Sequence, residues 1–77
     1  MDPIIAFGIT LKKHRLQLKL SQEELALSAN LDRTYISLLE RSQRQPTLST
    51  IFKLAEVLNI EPHKFIKEVE KLAKNDL

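Results

Sequence analysis

Apolar residues recur at helical spacing along the whole chain, and this pattern predicts five helices joined by short connections. The first helix should begin at Asp2 and Pro3, because aspartate can cap a helix and proline is favoured in its first turn. The apolar face of this helix consists of Phe7, Leu11 and Leu18, with Ile5, Ile9 and Leu16 beside it. We expect Lys12, Lys13 and Lys19 to point outward.

Two short helices follow, and each has a capping residue at its beginning. Ser21 and Glu24 fit the capping box, in which each side chain accepts a hydrogen bond from the other's backbone N–H, so a helix should run from Gln22 to about Ser28. Asp32 can cap a third helix after a connection of about three residues. The inward positions are Leu25, Ala26 and Ala29 in the second helix, and Ile36, Leu39 and Glu40 in the third.

A polar connector over residues 43–47 precedes two further amphipathic helices. The apolar positions of the fourth helix are Leu48, Ile51, Phe52, Ala55 and Leu58. Pro62 can begin the fifth helix, and the tail from Lys74 to Leu77 should fray. The apolar stripe of the fifth helix consists of Phe65, Ile66, Val69, Leu72 and Ala73, opposed by Lys64, Lys67, Glu68 and Lys71.

The composition agrees with an all-α fold. The chain has 77 residues, of which 43% are hydrophobic, with one glycine and no cysteine. The lack of cysteine excludes disulfides, thiolate zinc sites and thiol nucleophiles, and a single glycine excludes a glycine-rich phosphate-binding loop. We therefore expect residues 1–77 to form one compact five-helix domain with a small core, to which a partner could add.

The charges are unevenly distributed along the chain. The net charge is +2, but residues 1–55 carry eight Lys or Arg against five Asp or Glu, whereas residues 56–77 carry four against five. This bias is compatible with nucleic acid but does not establish it. With no signal peptide and no apolar run of about 18–20 residues, we expect a cytoplasmic protein that does not enter a membrane. His14 and His63 lack metal-ligand spacing, so we expect no metal, cofactor or small-molecule ligand.

The second and third helices resemble a known supersecondary unit. Each has about two turns, and the tight connection between them is centred on Asn30. This spacing is typical of a helix-turn-helix, in which one helix braces against the DNA backbone and the next enters the major groove. Ala26 would lie where the two helices cross and would allow close approach. The same packing would suit a small bundle that binds protein, so the pattern alone leaves both interpretations open.

The residues of this unit resemble a family of regulators. Residues 15–26, RLQLKLSQEELA, are similar to the R-x-x-x-G-x-[ST]-Q-x-x-L-A signature of Cro/C1-type (Xre-like) bacterial and phage regulators. The match continues through residues 30–37, NLDRTYIS, and covers roughly residues 7–66. Within the family, the string resembles restriction–modification controller proteins, which are small homodimers. The resemblance implies a lambda-repressor-like fold with the helix-turn-helix at helices 2 and 3.

The resemblance also implies a set of DNA contacts. Arg33 can donate two hydrogen bonds to guanine, and Thr34 can offer its hydroxyl, or its methyl group to thymine. The implied base-reading residues are Arg33, Thr34, Tyr35, Ser37 and Arg44. The implied phosphate-binding residues are Gln22, Arg15, Arg41, Ser42 and Gln43. Each could instead be an ordinary solvated side chain, and for Tyr35 a phosphate contact and ring packing on a neighbour are both open.

Similar phage repressors have a partly buried ion pair near the DNA at the positions of Arg15 and Glu40. We therefore expect these two residues to form a structural ion pair that also holds Arg15 near a phosphate. The remaining cationic residues of the region are expected to form a generic solvated face: Lys12, Lys13, His14 and Lys19.

The fifth helix is the expected dimer interface. One recognition helix reads only a few base pairs, and regulators of this kind bind two half-sites about 34 Å apart as dimers. The expected interface over residues 62–73 consists of Phe65, Ile66, Val69 and Leu72, although this stripe could instead close the monomer's own core. The expected partners are double-stranded DNA with a palindromic operator and a second copy of the chain.

Two other classes of function compete with a dimeric transcription regulator. One is an antitoxin-like or other interaction module whose main partner is a protein. The other is an enzyme, which we do not expect, because the carboxylates all have roles as caps or surface charges and no Ser/His/Asp arrangement occurs.

The scarcity of glycine predicts unusual turns. The family pattern commonly has glycine at four helix ends that are occupied here by Lys19, Asn30, Ser42 and Asn59. Asparagine tolerates the left-handed conformation, whereas lysine and serine there carry a strain of up to about 1–2 kcal/mol. We therefore expect a positive φ at all four positions.

Overall fold

The computed structural model describes residues 1–75 and has five α-helices in that range, as predicted. They are α1 (Pro3–Gln17), α2 (Gln22–Ala29), α3 (Arg33–Glu40), α4 (Leu48–Val57) and α5 (Pro62–Lys74). No strand occurs in this part of the chain, so the all-α prediction is confirmed. Lys74 is the last residue of α5 and Asn75 is its C-cap, so the prediction of fraying was wrong for Lys74; residues 76–77 of the expected tail lie outside the described residues.

Polar side chains cap the beginnings of four helices. Asp2 accepts a hydrogen bond from the backbone N–H of Ile4 at 2.7 Å. At α2 both bonds of the capping box are present, at 3.0 Å to the Ser21 hydroxyl and 2.8 Å to the Glu24 carboxylate. The bond from the Ser21 backbone N–H lowers the pKa of Glu24 below its ordinary value. Asp32 caps α3 and Thr47 caps α4.

The core lies where α1 and α5 meet the α2–α3 pair and α4. Its largest fully buried side chains are Leu11, Leu25, Ile36, Leu39, Leu54 and Phe65. The rings of Phe7 and Phe65 meet edge to face with centroids 5.4 Å apart. Burial of each such side chain stabilises the fold by about 1.5–3 kcal/mol. This core therefore holds the α2–α3 pair in a fixed orientation on α1 and α4.

Two expectations about apolar faces were wrong. Leu18 is exposed because α1 ends at Gln17, so Leu18 lies beyond the last turn that packs on the core. Leu48 and Phe52 are exposed as well, whereas Ala55 and Leu58 are buried as predicted, and Leu54, which was not predicted, is buried beside them. The buried face of α4 therefore overlaps the predicted one but is rotated towards Leu54.

The single glycine serves a close helix contact. A Cβ atom on Gly8 would lie 2.7 Å from the carbonyl oxygen of Leu39 and 2.9 Å from that of Glu40. Distances this short are not compatible with a side chain, and the neighbouring atoms are backbone, which cannot swing aside. Gly8 therefore allows α1 to pack directly on the C-terminal end of α3.

Four helices end in the same kind of left-handed turn. Lys19, Asn30, Ser42 and Asn59 have φ angles of 58°, 56°, 62° and 57°. In each case the next residue donates its N–H to a carbonyl five residues back, as Leu31 does to Ala26 at 2.8 Å and Gln43 to Leu38 at 2.9 Å. These are the bonds of the Schellman motif, in which glycine is usual. The prediction of positive φ is confirmed at all four positions.

Candidate nucleic-acid interface

The α2–α3 pair has the geometry of a helix-turn-helix. Asn30 turns the chain at the end of α2, and Asp32 begins α3 only two residues later. Ala26 and Ala29 on α2 are buried in the core cluster, as expected at a close helix crossing. The tight turn and the two small side chains are compatible with the close packing of α3 on α2.

The first turn of α3 presents two exposed polar side chains, those of Arg33 and Thr34. Asp32 accepts a hydrogen bond from the backbone N–H of Thr34 at 2.8 Å, so the backbone of this turn is fixed. Among residues 1–75, neither side chain takes part in a hydrogen bond or an ion pair. A guanidinium group in this state can donate two parallel hydrogen bonds to an external acceptor, as guanine recognition requires.

Tyr35 lies on the inner side of the same turn. It is half-buried, and its hydroxyl lies 3.3 Å from the hydroxyl of Thr50 on α4. Thr50 in turn accepts a hydrogen bond from the Thr47 hydroxyl at 3.0 Å. Of the two alternatives for Tyr35, the packing of its ring is present in the structure, where the ring lies against the core cluster. A DNA contact by its hydroxyl stays a prediction.

The end of α3 brings Ser37 and Arg41 together. The Arg41 Nε group donates to the Ser37 hydroxyl at 3.2 Å and lies 3.4 Å from the Ser37 carbonyl oxygen. The loop that follows carries Gln43 and Arg44 with exposed side chains, while Ser42 is half-buried. The candidate contacts of this loop therefore continue the exposed face of α3.

A buried polar network ties α1, α2 and α3 together. The Arg15 Nε and Nη2 groups donate to the two carboxylate oxygens of Glu40 at 2.7 and 3.0 Å. Arg15 Nη1 also donates to the Leu20 carbonyl at 2.8 Å, and Gln22 Nε2 donates to Glu40 at 3.0 Å. The side chains of Arg15 and Glu40 are only 9% and 3% exposed. The expected Arg15–Glu40 ion pair is confirmed.

Two candidate phosphate ligands, Arg15 and Gln22, belong to this network and form hydrogen bonds inside the protein. The side-chain hydrogen bonds to Glu40 raise the pKa of Arg15 above its ordinary value, against the opposing effect of burial. Three of the five Arg15 N–H groups are engaged inside the protein. Sequence reasoning missed the bond from Gln22 to Glu40, which lies 18 positions away along the chain. That bond orients the Gln22 amide at the beginning of α2.

His14 is not part of a solvated face, which corrects the expectation. Its Nε2 atom lies 2.9 Å from Glu68 on α5, and its ring centroid is 5.7 Å from that of Phe65. Lys13 lies 3.8 Å from the same Glu68 carboxylate. The reason is that α1 packs along α5, which brings residues 54 positions apart into contact. Lys12 and Lys19 are exposed as expected.

Part of the expected dimer stripe closes the monomer's own core. Phe65 is 1% exposed and buried against α1, so it cannot present itself to a partner and the prediction was wrong for it, whereas Val69 is mostly buried but lines the same groove as Ile66. Ile66 is 41% exposed, and Leu72 is half-buried. These two residues line different grooves: Ile66 lies with Ile4, Pro46 and Ile51, whereas Leu72 lies with Ile9 and Lys13.

Residues 1–75 contain neither a metal-ion cluster nor a helix suited to span a membrane. No group of three or more His, Asp or Glu side chains there is arranged to hold a metal ion. None of the five helices combines the length and apolar character that a membrane span requires.

The fold and this arrangement define a class of protein. A helix-turn-helix family model matches residues 11–65, a segment that contains α2, α3 and α4 in full. The chain belongs to this Cro/C1-type helix-turn-helix family of DNA-binding transcription regulators.

Several relatives are restriction–modification controller proteins. The chain is 38% identical to control protein C.MunI from Mycoplasma sp. over 71 residues, which are 91% of this chain and 96% of the relative. It resembles the crystal structure of C.AhdI from Aeromonas hydrophila with a TM-score of 0.78 and 44% identity, covering 80% of this chain and 94% of the other. It also resembles C.Esp1396I bound to a 25 base pair operator site, with a TM-score of 0.82 and 32% identity, covering 92% and 93%.

Proposed function

We propose that the protein binds a palindromic operator as a homodimer and controls transcription as a restriction–modification controller does. The observation that carries this proposal is the first turn of α3, where Arg33 and Thr34 are exposed and without internal partners on a fixed backbone. The relative C.Esp1396I, which has 32% identity to this chain, has been crystallised with operator DNA. The proposed role requires no catalysis, and it places the protein with the DNA in the cytoplasm.

In this proposal α3 and the loop that follows it read bases, while side chains of α1, α2 and the same loop bind the DNA backbone. Arg33 and Thr34 read bases in the major groove, joined by Tyr35, Ser37 and Arg44. The backbone contacts come from Gln22, Arg15, Arg41, Ser42 and Gln43. Gln22 is the best placed of these, because its amide is held by Glu40 while its backbone N–H lies at the positive end of α2.

Dimerisation through α5 is proposed to use the Ile66 edge of that helix. Ile66, Ile4, Pro46 and Ile51 line one apolar groove together with the mostly buried Val69, whereas Phe65 fills the core. A symmetric partner covering this groove would remove apolar surface from water and place two recognition helices on one side of the dimer. Leu72, on the other edge, would contribute less.

Footprinting on the DNA upstream of its own gene tests the proposal. We expect two protected half-sites about one helical turn apart, and binding that weakens steeply with salt. Arg33→Ala should reduce affinity by about 1–3 kcal/mol per half-site, roughly 5-fold to 150-fold, with no change in the free energy of unfolding. The matched control is Lys64→Ala, which removes an exposed cation from the first turn of α5, beside Asn59 at the C-terminal end of α4.

Two results would contradict the proposal. Equal loss of affinity for operator and random DNA in Arg33→Ala would mean that Arg33 contacts backbone and reads no base. Sedimentation as a monomer at tens of micromolar would exclude the dimer.

A further inference from the structure

α1 has an apolar stripe on the face that points away from the core. Ile5, Ile9 and Leu16 are 43%, 45% and 53% exposed, although the same helix buries Phe7 and Leu11 on its other side. The spacing of four and then seven residues puts all three on one line along the helix. Nothing within residues 1–75 covers this line, which we call the α1 outer face.

The α1 outer face continues onto α5. Ile9 and Leu72 line a common open groove, with Lys13 and Lys71 at its margin. Lys12 lies on the other side of the stripe and is exposed. The apolar surface is therefore wider than one helix and is bordered by ammonium groups on both sides.

The charge balance of this surface is positive. Its two glutamates are already engaged, Glu68 with His14 and Lys13, and Glu70 with Lys74 at 3.1 Å. None of the ion pairs within residues 1–75 involves Lys12 or Lys71. An apolar stripe with unpaired cations on both margins complements a segment that carries an apolar stripe between carboxylates.

From this complementarity we propose that the α1 outer face is a docking site for an amphipathic acidic helix of another protein. A second copy of the chain is the poorer occupant, because packing two such faces together brings Lys12 and Lys13 of both copies into one interface. Three anchors at helical spacing match a single bound helix, whereas a stable dimer needs a larger surface.

The test uses the full chain and two synthetic helical peptides. Both peptides have the same leucine stripe, flanked in one by glutamate and in the other by lysine. We expect the acidic peptide to shift the NMR methyl signals of Ile5, Ile9 and Leu16, and the basic peptide to bind at least about tenfold more weakly. Ile9→Ser should weaken the acidic peptide about tenfold or more. Lys12→Glu should reduce the preference for the acidic peptide.

The matched control is Leu27→Ser on α2, because Leu27 is also an exposed leucine but lies outside the α1 outer face. It should leave peptide binding unchanged. The proposal is overturned if neither peptide binds, if both bind equally, or if the shifts fall on Ile66. It is also overturned if operator DNA displaces the peptide, since the peptide would then be acting as a polyanion at the DNA site. A smaller assembly of Ile9→Ser in sedimentation would identify a second copy as the occupant instead.

Discussion

The two ends of α3 differ in how they are held. Its C-terminal end is packed against α1 and α2: Gly8 of α1 lies against the carbonyls of Leu39 and Glu40, and the Glu40 carboxylate is bound by Arg15 and Gln22. Its N-terminal end is exposed, and the side chains of Arg33 and Thr34 have no partner within residues 1–75. A short helix can present free side chains in a fixed direction only if its other end is immobilised.

Of the substitutions at the packed end of α3, we expect Glu40→Gln to have the largest effect on stability. The substitution keeps the shape but leaves the Arg15 guanidinium buried without its counter-charge, so the free energy of unfolding should fall by about 3–5 kcal/mol. DNA affinity should fall as well, because Gln22 loses a charged acceptor. Urea denaturation and DNA titration measure the two effects.

The control for this substitution is Glu70→Gln, which removes the same charge from an exposed pair with Lys74 on α5. It should change stability by less than about 1 kcal/mol. If Glu40→Gln left both stability and DNA affinity unchanged, the network would not be what holds α3.

A second way to disturb the packed end is Gly8→Ala. In an open helix position this substitution would stabilise by up to about 1 kcal/mol, because alanine has the better helix propensity. Here the added methyl group would lie within 3 Å of two backbone oxygens, so we expect destabilisation by about 1–3 kcal/mol. Thermal unfolding measures whether Gly8→Ala raises or lowers the stability. A stabilised variant would show that α1 and α3 are not in close contact in solution.

The α3 comparison also shows how far sequence reasoning reached. The caps, the left-handed turns and the Arg15–Glu40 pair were predictable, because each depends on local chemistry or on a recognised motif. The Gln22–Glu40 bond and the His14–Glu68 contact were not, because they join residues 18 and 54 positions apart and, unlike the Arg15–Glu40 pair, belong to no recognised motif. The stripe on α5 illustrates the same limit: periodicity says that Phe65 and Ile66 lie near one face, but not which of them the chain's own core covers.

The smallest expected effect concerns the left-handed residues on either side of α3. Asn30 precedes the exposed end and Ser42 follows the packed end, with φ angles of 56° and 62°. Serine is the more strained of the two, since asparagine tolerates this conformation. Glycine raises the entropy of the unfolded chain in both variants. Ser42→Gly should stabilise by up to about 1 kcal/mol, and Asn30→Gly should stabilise by less, because asparagine has less strain to lose. The Schellman hydrogen bonds can form in both variants. The difference between the urea midpoints of the two variants therefore reports the difference in backbone strain between Ser42 and Asn30. A larger gain at Asn30 would reverse the ranking and show that the turn before α3, not the one after it, carries the greater strain.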